Sequence, residues 1–154
     1  MAKIYIDSEI WSYALKKPKD GSSNAIIERY TKAKTFLLER ITNDEIFLSL
    51  HQLHELFHIL SFRGNKLPPD FTKKYLENLT KMETVTIVNN SLTHFKKAME
   101  RSILSGIHIW DFLCVIPLVN SIEIIYSCDK HFDSDEFKSF KKPIMNPIGT
   151  WFNV

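Results

Sequence analysis

Four short runs constrain this chain most: Ile4–Ile6, Ile46–Leu50, Thr84–Val88 and Glu123–Tyr126. Each is too short for a stable helix and rich in residues that favour strands. The stretches between them carry apolar residues three and four apart. Ile26, Ile27, Tyr30, Ala33 and Leu37 mark a helix from Asn24 to about Arg40, and a second helix covers His51 to Leu60. A third, Asp70 to Leu79, is expected to bury Phe71, Tyr75, Leu76 and Leu79. A fourth, capped by Asn90 or Ser91, is expected to bury Phe95, Met99 and Ile103 while exposing Lys96, Lys97 and Arg101. Strands alternating with helices imply a parallel sheet joined by right-handed crossovers. The expected architecture is a three-layer α/β/α sandwich around a central parallel sheet of four to five strands, with Ile144 opening the edge strand. Residues 1–154 are expected to form one domain, since no interior shift in composition marks a linker.

Functional groups in such sheets gather just past the carboxyl ends of the strands. Asp7 and Asp129 each follow a short apolar strand, and Glu55 lies one turn into the helix after the second strand. Taken singly, Asp7 and Asp129 also fit helix caps, and Glu55 fits an ordinary solvated glutamate. Asp111 is harder to explain that way. Its segment reads Ile109-Trp110-Asp111-Phe112-Leu113-Cys114-Val115-Ile116, apolar around almost the whole circumference of a helix. An unpaired carboxylate there costs several kcal/mol and needs a cation, a metal or a retained proton. No Lys or Arg lies within a turn of it, and His108 is the sole local cationic group. A structural carboxylate bonded to backbone or to a distant Lys is the alternative for Asp111, but the four acids together are expected to make one divalent-metal site. All-oxygen ligation selects Mg²⁺ or Mn²⁺ over zinc, and such an ion relieves the mutual repulsion of clustered carboxylates. The chemistry this supports is attack of an activated water on a phosphodiester.

A second motif competes. His54-Glu55-Leu56-Phe57-His58 satisfies H-E-x-x-H, the pattern of two zinc ligands and a general base on one helix of a metalloprotease. His51 adds a third imidazole nearby. No downstream His94, His108 or His131 stands in the spacing of a third ligand, and the reading leaves Asp7, Asp111 and Asp129 without a role.

Bulk properties narrow the class further. A hydrophobic fraction of 44% in 154 residues is enough for a packed core and excludes a disordered chain. A net charge of +2 tolerates an anionic partner without requiring one. Cys114 and Cys128 supply no disulfide framework and read as buried thiols of a reducing compartment. No run of eighteen apolar residues occurs, so the expectation is a soluble cytoplasmic protein with no membrane role.

Four stretches give the chain a resemblance to PIN-domain proteins, and most to the small VapC-type toxins of prokaryotic toxin–antitoxin pairs. Ile4-Tyr5-Ile6-Asp7-Ser8 resembles the opening strand with its Asp-Ser/Thr pair. Leu48-Ser49-Leu50 through Glu55-Leu56 resembles the second strand and the glutamate-bearing helix. Ile109-Trp110-Asp111-Phe112-Leu113 resembles the helix of the third acid, and Ser127-Cys128-Asp129-Lys130-His131-Phe132 resembles the closing motif. The resemblance implies an Mg²⁺- or Mn²⁺-dependent endoribonuclease acting on single-stranded RNA, a small antitoxin partner and a homodimer. It implies that Asp7, Glu55, Asp111 and Asp129 hold the metal, with Ser8 and Ser127 as hydroxyl supports. Glu9, where the family often has Asn, and Asp133 are possible extra acids. The RNA-facing cations would come from Lys16, Lys17, Arg63, Lys66 and Lys130, while Trp151 and Phe152 would serve an interface. Two alternatives stay open: the zinc metalloprotease of His54, Glu55 and His58, and a PIN-like scaffold that binds RNA or partners without catalysis.

Overall fold

A computed structural model describes residues 1–154. Five parallel strands, β1 (Lys3–Ile6), β2 (Glu45–Ser49), β3 (Val85–Val88), β4 (Ile124–Tyr126) and β5 (Ile144–Met145), lie in the order β3-β2-β1-β4-β5. The helices are α1 (Ser8–Leu15), α2 (Asn24–Asn43), α3 (Leu50–His58), α4 (Pro69–Lys81), α5 (Leu92–Ser105), α6 (Ile109–Val115) and α7 (Asp135–Lys138).

The strands sort their side chains with a period of two, which creates two cores, one on each face of the sheet. Ile4 and Ile6 of β1 and Ile46 and Leu48 of β2 join Trp11, Ala33, Leu37, Leu56, Leu76 and Leu79 on one face. Tyr5, Phe47 and Ile125 point the other way and join Phe112, Val115, Leu118, Phe132 and Phe137. Helices therefore cover both faces, as a parallel sheet requires. No helix is long and apolar enough to cross a membrane.

β1 is the hinge of the topology. The chain leaves it to build β2 and β3 on one side, then returns to lay β4 and β5 on the other. Ile4, Tyr5 and Ile6 pair with Ile124, Ile125 and Tyr126, while Lys3 and Ile4 pair with Glu45 and Ile46. The strand order reverses at β1, so the crevice past its carboxyl end is a topological switch point.

Local chemistry sets the helix ends. Ser23 and Ser49 cap α2 and α3 by accepting the Ile26 and Gln52 amides. Ser91 and His94 form a reciprocal cap on α5, and Gly106 closes that helix with φ 73°, a conformation costly for any side chain. α3 does not stop at Leu60. It runs into a π turn, Ile59–Arg63, in which Gly64 N–H reaches the Ile59 carbonyl at 3.0 Å. Such widened turns recur at functional sites, and this one brings Arg63 toward Glu9 of α1.

Two expected burial patterns are corrected. On α5, Phe95, Met99 and Ile103 are exposed, at 43%, 37% and 83%, and the only buried side chain of that helix is Ala98. The apolar row of α5 is a real periodic feature, but no other element of this chain covers it. On α4, Phe71 is exposed and Thr72 is wholly buried in its stead. Thr72 tolerates that position because Ser61 of the π turn donates to its hydroxyl at 2.8 Å. Trp151 and Phe152 are half-buried against the body, with Phe152 edge-on to Tyr13 at 5.6 Å.

Candidate metal-binding active site

Asp7 is the first residue past β1, and its amide still belongs to the sheet, donating to the Tyr126 carbonyl at 2.8 Å. Its side chain makes no helix-capping bond to α1. The carboxylate instead faces inward, 3% exposed, and accepts from Tyr5 Oη at 3.1 Å and from Ser127 Oγ at 2.8 Å. Tyr5 and Asp7 stand two apart on one extended segment, hence on the same side. The carbonyl of Ile6, just before Asp7, takes hydrogen bonds from Trp11 Nε1 at 3.1 Å and Gln52 Nε2 at 2.7 Å. These two buried donors fix the end of β1 and tie it to α3.

Asp129 reaches the same crevice from β4. Its amide donates to Ser127 Oγ at 3.0 Å, so one buried serine hydroxyl links the backbone of Asp129 to the carboxylate of Asp7. Asp129 Oδ1 accepts the His131 amide at 2.9 Å, so this residue does cap the following 3₁₀ turn, Lys130–Asp133, while it faces the crevice. The segment is clamped from outside by Phe152, whose carbonyl accepts Lys130 N–H and whose N–H reaches the Cys128 carbonyl, both at 2.8 Å.

Glu55 projects from the second turn of α3. Cys114 Sγ donates to its Oε2 at 3.3 Å, and His51 Nε2 lies 3.9 Å from the same oxygen. Asp111 sits in the first turn of α6, 6% exposed. Its Oδ2 lies 3.1 Å from His131 Nδ1 and 3.5 Å from His108 Nε2. No lysine or arginine approaches it.

These four acids line one cavity of about 470 Å³, together with Glu9, His51, His54, His58, Arg63, His108, Trp110 and Val154. The electrostatics are those of too many carboxylates sharing too little water. Burial is the first cause that raises Asp7 well above the carboxylate range, and the charges of Glu55 and Asp129 push the same way against the Ser127 hydrogen bond. Asp111 is pushed up to about 9 by burial and then by Asp7, Asp129 and Glu55. Glu55 and Asp129 are raised mainly by burial, opposed for Glu55 by Cys114 and Ser8 and for Asp129 by hydrogen bonding and charge from His131. A divalent cation fits this donor set, because it supplies the charge that burial and repulsion otherwise force the acids to take up as protons.

The remaining expected residues divide. Glu9 lines the cavity and pairs with Arg63 at 2.9 Å. Asp133 is not brought in: it is exposed on the 3₁₀ turn and pairs with Lys138 at 3.4 Å. Of the proposed RNA-facing cations only Arg63 reaches the cavity, whereas Lys16 and Lys17 line a separate basic pocket with Tyr13, Arg29 and Tyr30. His54 and His58 are exposed on the cavity wall, and no third ligand is gathered to them as a zinc protease would need. Sequence reasoning missed Tyr5, Gln52 and Cys114 as supports of the acids. The spacing held part of the signal: Tyr5 is two before Asp7 on a strand, and Cys114 is three after Asp111 on a helix.

The fold that results is the PIN-like α/β/α sandwich. No family model and no curated protein matches the sequence. Solved structures do match by shape. VapC20 of Mycobacterium tuberculosis, described as a sarcin–ricin-loop-cleaving toxin, has a TM-score of 0.60 and 16% identity, covering 88% of this chain and 94% of that one. VapBC2 of Rickettsia felis, solved bound to a DNA fragment from its promoter, has a TM-score of 0.58 and 15% identity, over 94% and 98%. FitAB bound to a DNA fragment has a TM-score of 0.61 and 13% identity, over 98% and 99%. The resemblance drawn from the motifs and the likeness of fold agree.

Proposed function

We propose that this chain is a divalent-metal-dependent endoribonuclease that cuts single-stranded or looped RNA, and that it is the toxin of a toxin–antitoxin pair in the cytoplasm. One observation carries the reading: Asp7, Glu55, Asp111 and Asp129, from four separate elements, converge on one cavity at the switch point of the sheet. The toxin structures of the same fold support the toxin role, and the VapBC2 and FitAB complexes support a small antitoxin partner. The resemblance extends the proposal to a homodimer.

Asp7, Glu55, Asp111 and Asp129 would hold Mg²⁺ or Mn²⁺, which would supply a water of lowered pKa and positive charge against the phosphate oxygens. Ser127 fixes Asp7 relative to Asp129, and Tyr5 holds the second oxygen of Asp7. Cys114 donates to Glu55 and holds its carboxylate in the cavity with the other three acids. Arg63 and the imidazoles of His54 and His58 present donors along the wall where a phosphate backbone would lie.

The test is cleavage of a single-stranded RNA with Mn²⁺ by the wild type and by Asp7→Asn and Asp111→Asn, with circular dichroism to confirm folding. Each variant is expected to lose at least about 100-fold in rate, since even an outer partner of a metal ligand is worth 10–100-fold. Undiminished cleavage by both folded variants defeats the proposal.

A further inference from the structure

Two imidazoles are aimed at one oxygen of Asp111, and neither is a ligand that a hard ion favours. His108 precedes α6, His131 lies on the turn after β4, and their rings meet edge-on with centroids 4.8 Å apart. Their ligand atoms and that of Asp111 all lie within 4.8 Å of one another. The His131 Nδ1 to Asp111 Oδ2 separation of 3.1 Å and the His108 Nε2 to Asp111 Oδ2 separation of 3.5 Å lie close to the ligand–ligand edge of a tetrahedral zinc site. Bonds of 2.0–2.2 Å put that edge at about 3.3–3.6 Å.

Ordinary hydrogen bonding accounts for only part of this. His131 is close enough to bond Asp111, with Asp129 Oδ1 also 3.4 Å from its Nδ1, but His108 at 3.5 Å is at the limit of such a bond. A metal ion uses both nitrogens at once. His108 and Asp111 also line the cavity, so a fourth position faces solvent and is open to water. The chemistry differs from that of the four carboxylates, because imidazole nitrogen favours zinc and its neighbours among the transition metals over Mg²⁺. The other mixed group, His51, Glu55 and Cys114, is a weaker prospect. Its histidine stacks flat on Trp110 at 5.6 Å and its thiol is fully buried.

We infer that His108, Asp111 and His131 form a site for zinc, or a similarly borderline transition ion, at the mouth of the cavity, and that filling it inhibits RNA cleavage by withdrawing Asp111. The inhibitory half rests on the nuclease reading; the binding half does not.

The experiment is titration calorimetry of the full chain with Zn²⁺ alone, with Co²⁺ absorption as a second probe of coordination. Wild type is expected to take zinc at this site, with affinity falling at least about 100-fold in His108→Ala and in His131→Ala. His54→Ala and His58→Ala are expected to bind as wild type does. Binding unchanged by loss of His108 and His131, or abolished by loss of His54 or His58, overturns the assignment. Circular dichroism and a His131→Gln variant guard against misfolding as the cause. In parallel, Mn²⁺-dependent cleavage is compared with and without zinc within each protein. Wild type should be inhibited, and His108→Ala should need at least tenfold more zinc for the same fractional loss. Equal sensitivity to zinc overturns the inhibitory half. A chain inert toward RNA with every metal defeats the nuclease reading instead, and calorimetry alone then decides the zinc site.

Discussion

Removing an ionisable carboxyl from the centre of this site should stabilise the metal-free protein, and Asp111→Asn is the cleanest way to see it. In the unfolded chain the Asp111 carboxyl ionises near the ordinary 3.8; in the folded chain burial, then Asp7, Asp129 and Glu55, hold its proton until about pH 9. Between those limits the native state keeps a proton that the unfolded state releases. Stability from this group is therefore complete below about pH 4 and is lost as pH rises toward 9. At about 1.4 kcal/mol per pH unit for one proton, the loss is on the order of 4 kcal/mol by pH 7. Burial also pushes Asp7 up, which weakens its charge on Asp111 and makes the loss smaller than this figure. Asparagine has nearly the shape of the protonated acid and never ionises, so the variant should lack this slope. For a chain of this size 1 kcal/mol moves the melting temperature by about 2–4 °C, so a gap of roughly 10 °C is expected near pH 8. The assay is thermal and urea unfolding in EDTA from pH 5 to 9. Parallel pH curves for the two proteins, or a variant weaker by the same margin throughout, refute the reasoning. Mg²⁺ or Mn²⁺ should narrow the gap, by about 2.7 kcal/mol at a hundredfold excess over Kd, since binding would need the ionised acids.

Ser127→Ala removes the hydroxyl that holds Asp7 down against burial, so cleavage should fall about 10–100-fold and its pH optimum should move upward; an unchanged rate and profile would contradict the bridging role. Trp11→Ala empties the largest fully buried side chain, which also bonds the end of β1, and should cost about 3–5 kcal/mol in chemical denaturation. A loss below about 1 kcal/mol would show that Trp11 does not anchor that end of the sheet.

The sheet and the four acids were legible for related reasons. Short β-branched runs admit few structures, and an acid just past such a run falls where a parallel sheet places its chemistry. Asp111 stood out because an all-apolar helix leaves a carboxylate no local partner. The faces of α4 and α5 were not legible. Periodicity marks the apolar side of a helix but not whether another element covers it, so Phe95, Met99 and Ile103 were assigned a core they do not reach. Thr72 lies buried because of a hydroxyl eleven residues earlier in a π turn, an arrangement no local pattern announces. The approach of His131 to Asp111 likewise depends on β4 and α6 meeting in space.

The Ser127–Asp7 hydrogen bond joins residues 120 apart in sequence, so the central strand waits for its second neighbour through most of translation. A ribosome that stalls, or a protease that cuts, anywhere before Ser127 leaves a polypeptide with one open edge and an incomplete set of acids. Shorter copies therefore lack Asp129 and the serine that ties its backbone to Asp7, and they cannot complete the cavity.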